Sequence, residues 1–228
     1  MRFFTYGVMA AAMALSASQA QAVTNLITNG SFETVGASTV FTNGVATILG
    51  ANNTVLPGWT GLTGRAYMIN RNYDASAGKN SIDLSHTTGG PDCCNGTIST
   101  TVSGFVVNRT YRLSFDLSGK PGGTVDPVLN LLIPGRISRD YTFSRPVDQT
   151  ALNMGWQRVF HQFRALQTQY TVQFKNNNTT NELRFFGPVI DNVIMAEAIP
   201  EPHNWALFII GFGLTGTILR RRVAQQAA

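Results

Sequence analysis

Acid–base and nucleophilic chemistry has few residues to draw on in this chain. Of its 228 residues only 12 are Asp or Glu and 3 are His. Asp83, Ser85 and His86 supply the residue types of a catalytic triad, but a triad is defined by geometry, and alternation along a strand sends neighbours to opposite faces. No Gly-x-Ser-x-Gly elbow frames a nucleophile. Glycoside hydrolysis needs two carboxyl groups flanking a cleft, and the glutamates between the chain ends are Glu33, Glu182 and Glu197. No phosphate-binding glycine loop, metalloprotease helix or haem motif is present. Nothing here compels an enzyme, and a hydrolase of an envelope polymer stays a minor reading.

Binding chemistry is better represented. A flat ring with a polar edge suits the apolar face of a pyranose, and Tyr67, Arg71, Asn72 and Tyr73 combine such rings with hydrogen-bonding partners in a polar loop region, which makes them the candidate ligand-binding set. Tyr141 and Trp156 carry the same chemistry, whereas Trp59, after Pro57-Gly58, is expected in the core. Cys93 and Cys94 are the only cysteines. They are a candidate disulfide, although adjacent Cα atoms lie about 3.8 Å apart against roughly 4.4–6.8 Å for an ordinary bridge. Such a bond would be strained, and intermolecular pairing or two free thiols remain alternatives. No His pattern beside them makes a zinc site.

The elements that must position these residues read as strands. In Thr110 to Leu117 the apolar Tyr111, Leu113, Phe115 and Leu117 alternate with Arg112, Ser114 and Asp116, and Tyr170, Val172 and Phe174 alternate with Thr171, Gln173 and Lys175. Period two bounded by Gly, Asn and Pro marks half-buried antiparallel strands. Further strands are expected at residues 24–27, 45–49, 66–69, 81–85, 97–102, 128–133, 156–165, 181–186 and 189–195. No stretch keeps a helical period, so the expected fold is all-β, a two-sheet jelly-roll β-sandwich.

The two ends read differently from this domain. Residues 1–22 combine Arg2, an apolar stretch from Phe3 to Leu15 and Ala20-Gln21-Ala22, the pattern of a cleavable signal peptide. Signal peptidase is therefore a processing partner, with cleavage expected before Val23. Residues 199–228 contain Pro200-Glu201-Pro202, an apolar run from Trp205 to Leu219, and Arg220, Arg221 and Arg222. The run of 15 residues reaches about 22 Å as a helix against a hydrocarbon core near 30 Å, a marginal single-pass anchor with its arginines in the cytoplasm. Between Val23 and Pro200 there are 13 basic and 11 acidic residues without a basic run, so nucleic acid is not an expected partner.

The tail resembles the PEP-CTERM sorting signal of Gram-negative bacteria, down to Trp205-Ala206 and Gly211-Phe212-Gly213. That resemblance implies an exosortase that reads the tripeptide and removes the helix, by a logic like that of removable lipid-anchor signals. The domain, residues 23–198, resembles the DUF642-like, choice-of-anchor C family of galactose-binding-like domains. The likeness rests on Asn29-Gly30-Ser31-Phe32-Glu33, Leu56-Pro57-Gly58-Trp59, Ser81-Ile82-Asp83-Leu84-Ser85, the Leu113-to-Gly119 strand and Gly187-Pro188-Val189-Ile190-Asp191-Asn192-Val193, in that order. By the same resemblance a structural calcium is expected at Glu33 and Asp191, with Asn29 contributing a carbonyl; calcium takes six to eight oxygen ligands. Without it, Asn29-Gly30 forms a turn and Asp191 caps backbone groups. The expected protein is exported to the cell surface or extracellular matrix, membrane-bound before processing, and binds polysaccharide without catalysis. A structural matrix protein lacking a ligand pocket is the alternative.

Overall fold

The computed structural model describes residues 24–48, 54–85, 95–178 and 185–198. They hold eleven strands: β1 (Val45–Ile48), β2 (Thr60–Thr63), β3 (Ala66–Asn70), β4 (Asn80–Asp83), β5 (Thr97–Ser103), β6 (Thr110–Gly119), β7 (Val128–Ile133), β8 (Ile137–Thr142), β9 (Gln157–Arg164), β10 (Gln169–Asn176) and β11 (Pro188–Glu197). One sheet, A, has six strands in the order β1-β3-β4-β11-β6-β9; the other, B, has five in the order β2-β5-β10-β7-β8. Every pairing is antiparallel. The domain is thus the all-β jelly-roll sandwich that period-two patterning predicts.

Alternation decides which side chains meet between the sheets. Tyr111, Leu113, Phe115 and Leu117 of β6 face Tyr170, Val172 and Phe174 of β10 in one core. Two aromatic groups anchor it: Trp59 packs on Phe32 and Phe174, and Phe105 packs on Tyr111, Phe163 and Tyr170. Each fully buried ring contributes about 1.5–3 kcal/mol. Trp59 is a core residue, 4% exposed, as its place after Pro57-Gly58 suggests.

Three expected strands differ from those observed. Residues 24–27 form no strand, because Asn25 takes over the work of a ladder: its side chain donates to Val193 O and accepts from Met195 N and Ile27 N. Residues 181–184 lie outside the described residues, and Phe186 is not in a strand. Trp156 precedes β9 rather than opening it. In return, β2 and β8 escape the pattern. The first is four residues with a glycine, and the second is an edge strand whose one buried residue, Ile137, leaves no alternation to read.

Candidate polar recess on sheet A

The face of sheet A turned away from the core ought to be wet, but much of it is buried. Ser81, Asp83, Ser85, Ser118 and Asp191 are all 0–1% exposed. Two loops form a roof over them. From residues 71–79, Ser76 Oγ donates to Asp116 Oδ2 and Ala77 N donates to Asp191 Oδ2 at 2.8 Å. From residues 143–156, Gln149 Nε2 donates to Gly119 O, and Ser118 Oγ donates to Met154 O. The loops are latched together by Asp74 N on Ala151 O and Trp156 Nε1 on Asp74 O. Trp156 therefore serves as a tie in the roof.

Under one side of this roof lies a charged cluster. Asp83 is cross-strand partner to both Tyr67 and Val189. Its Oδ2 faces Lys120 Nζ at 3.5 Å, and its Oδ1 accepts from Ser85 N at 2.8 Å and Ser85 Oγ at 2.5 Å. Lys120 also reaches Ser85 Oγ at 3.4 Å. Tyr73 is half-buried, and burial, with a smaller contribution from the negative charge of Asp83, raises its hydroxyl pKa well above the ordinary value. Two of the four ligand-binding candidates, Tyr67 and Tyr73, thus come to one acid–base pair. Tyr67 sits inside strand β3 rather than in a loop. The other two candidates go elsewhere: Arg71 starts the turn with φ of 62° and is exposed, and Asn72 is tied to Asn43 O at 2.5 Å.

Two of the three expected metal residues, Glu33 and Asp191, bond to one loop. Glu33 Oε1 accepts from Lys79 N and Asn80 N at 2.9 and 2.8 Å, while Asp191 accepts from Ala77 N and, through Oδ1, from Asn192 N. Both carboxylates therefore hold residues 77–80. Asn29 is committed differently: its side chain spans Thr34 and Pro57 O, and its carbonyl already accepts from Phe32 N and Trp59 Nε1. That carbonyl has the turn role, as the Asn29 φ of 53° indicates. Burial raises Asp191 from 3.8 to about 7, and its neighbour Asp116 adds repulsion against the N–H groups that favour the anion. Ser81 Oγ on β4 is buried without a hydrogen-bond partner. A buried carboxyl and an orphan hydroxyl are oxygen ligands of the kind a cation takes, although no three His, Cys, Asp or Glu side chains group as metal ligands among the described residues. Main-chain carbonyls would have to complete a calcium shell there.

Residues 25–196 match the family model described as "Protein of unknown function (DUF642)". The chain belongs to the DUF642 family. No curated protein matches this DUF642 chain in sequence. Among solved structures, a family 35 carbohydrate-binding module from Clostridium thermocellum is 15% identical with a TM-score of 0.39, covering 60% of this chain and 90% of that one. A xylan-binding domain from Paenibacillus barcinonensis is 14% identical with a TM-score of 0.40, covering 67% and 90%. A family 61 module in complex with β-1,4-galactotriose is 15% identical with a TM-score of 0.39, covering 76% and 99%. These likenesses concern the fold, so the function of the DUF642 domain has to be argued from its own side chains.

Several of those side chains escape sequence reasoning. Lys120 lies at the start of a stretch with no recognisable motif, and Asp116 and Arg158 meet only because β6 and β9 pair in that register, at 2.9 Å. Cys93 and Cys94 lie outside the described residues, as do His86, Glu182 and the sorting residues Pro200, Glu201, Pro202, Arg220, Arg221 and Arg222. No helix among the described residues is long and apolar enough to cross a membrane.

Proposed function

We propose that this DUF642 domain is a non-catalytic carbohydrate-binding module on an exported protein of the cell surface or matrix. One observation carries the reading: Tyr67 and Tyr73 are brought to the Asp83–Lys120 pair, with Ser85 beside it, on the outer face of sheet A. The half-buried Tyr67 and Tyr73 rings supply stacking area and the Lys120 ammonium, 14% exposed, supplies a donor beside them, while Asp83 and Ser85 lie buried beneath. Calcium belongs to this proposal as a brace: Glu33 and Asp191 would hold it, and it would neutralise charge beneath the 77–80 loop.

The test is retardation of the purified chain in native gels cast with polysaccharides, with Tyr67→Ala and Tyr73→Ala as variants. Each is expected to weaken binding about tenfold, equivalent to about 1.4 kcal/mol. Retardation by no polysaccharide would sink the reading and leave a structural matrix role.

Export and sorting complete the proposal. Signal peptidase removes residues 1–22, and an exosortase acts at the Pro200-Glu201-Pro202 tail of the PEP-CTERM type, the domain before it being of the choice-of-anchor C type. The expected intact mass of protein recovered from an exosortase-bearing host lacks both segments; a mass that retains residues 205–228 would remove exosortase from the account.

A further inference from the structure

Toward the start of β6 the outer face of sheet A has no roof. Thr110, Arg112, Arg158, Phe160, Gln162 and Arg164 are all exposed there, paired across β6 and β9 as Thr110–Arg164, Arg112–Gln162, Ser114–Phe160 and Asp116–Arg158. Phe160 is 65% exposed and is the one aromatic ring in the exposed class among the described residues. A lone exposed apolar residue needs no explanation, but this one has charged company. The Arg112 guanidinium lies over the ring, 5.6 Å from its centroid, and with the Gln162 amide turned oxygen-first it donates through Nε and Nη2 at 3.1 and 2.9 Å.

The charge balance of the ribbon is positive. Asp116 is taken by Arg158, Ser76 and Asn192, and Glu197 by Arg109. Neither Arg112 nor Arg164 pairs with a carboxylate among the described residues. Guanidinium groups present planar forks of donors that match a carboxylate in bidentate fashion. Successive outward residues on a strand lie about 6.7 Å apart, so Arg158, Phe160, Gln162 and Arg164 form a straight ladder of cation, ring, amide and cation.

We propose that this ribbon binds an acidic polysaccharide, a glycan bearing uronate carboxylates. Arg112 and Arg164 take the carboxylates, Gln162 takes hydroxyls, and a sugar ring seats on Phe160. The proposal rests on the carbohydrate-binding reading above but uses a surface separate from the Asp83 recess. It names a polymer class the recess alone does not specify.

The experiment measures binding of the full chain to polygalacturonate and to neutral dextran at low and at moderate salt. Phe160→Ala and Arg112→Gln are each expected to weaken polygalacturonate binding at least tenfold, with Phe160→Tyr restoring it and added salt weakening the parent. Because these side chains are exposed, the variants keep the parent's melting temperature. Polygalacturonate binding lost in Tyr67→Ala yet untouched by Phe160→Ala and Arg112→Gln overturns the ribbon while leaving the carbohydrate-binding reading intact. Binding of neither polymer overturns both. Retention of single-stranded DNA or poly-glutamate as tight as that of polygalacturonate, with no loss in Phe160→Ala, also overturns the ribbon, because the attraction is then charge alone.

Discussion

Lys120→Met is expected to destabilise the domain by about 3–5 kcal/mol, the usual result of removing one partner of a buried ion pair and leaving the other charge uncompensated. The Asp83 side chain is 1% exposed and that of Lys120 14%, so solvent has little access to replace the lost ammonium. The methionine keeps the length of the lysine stem, and the backbone bond from Lys120 N to Gly187 O is unaffected. Adding Asp83→Asn should recover most of the loss, since the amide oxygen can still accept from Ser85 N and Ser85 Oγ. Urea unfolding of the two variants checks this. A Lys120→Met protein within about 0.5 kcal/mol of the parent, the range of an ordinary surface change, would show that the pair is wet and contradict the dry recess.

The second large effect is a loss of stability as pH rises. An unfolded aspartate titrates near 3.9, whereas burial holds Asp191 at about 7 in the folded chain. Between those values the folded state binds a proton that the unfolded state has released. Stability therefore falls as pH climbs from about 4 to 7 and levels off above it, the reverse of an ordinary ion-paired carboxylate. At 1.36 kcal/mol per pKa unit the difference is on the order of 4 kcal/mol. Chemical unfolding at pH 5 and pH 8 should reveal it, and Asp191→Asn should flatten the dependence. A cation held by Glu33 and Asp191 would favour the anion, so calcium is expected to raise the melting temperature more at pH 8 than at pH 5. Parallel pH profiles for the parent and Asp191→Asn would rule Asp191 out as the source.

The contrast between these two carboxylates marks what the sequence could and could not reveal. Period two identified the core face of β6 and β10, because an apolar side chain is buried wherever it faces the other sheet. It could not foresee that Asp83 and Asp191, on the opposite face, would be buried too. That depends on where the 71–79 and 143–156 loops fold back, which is set by individual bonds such as Asp74 N to Ala151 O. Chemistry alone could name Tyr67 and Tyr73 as candidates, while Lys120 gave no signal because its partner lies across two intervening strand pairings. Phe160 was missed for another reason: an aromatic ring in the 156–165 strand reads as core, although alternation with Arg158, Gln162 and Arg164 puts it on the outer face.

The outermost strands of the two sheets carry a further consequence. An unpaired strand edge is a template for joining a second copy, and charged side chains are among the devices that discourage it. On β8 that device is Arg139 and Asp140, and on β9 it is Arg158 and Arg164, all exposed. Those two edges are thereby discouraged from pairing with a second copy, whereas β1 and β2 at the opposite edges carry no charged residue. Under the proposed carbohydrate-binding role, copies that do not join at these edges would be held together by shared polymer, and salt or a glycan-degrading enzyme would then separate them and leave each unit folded.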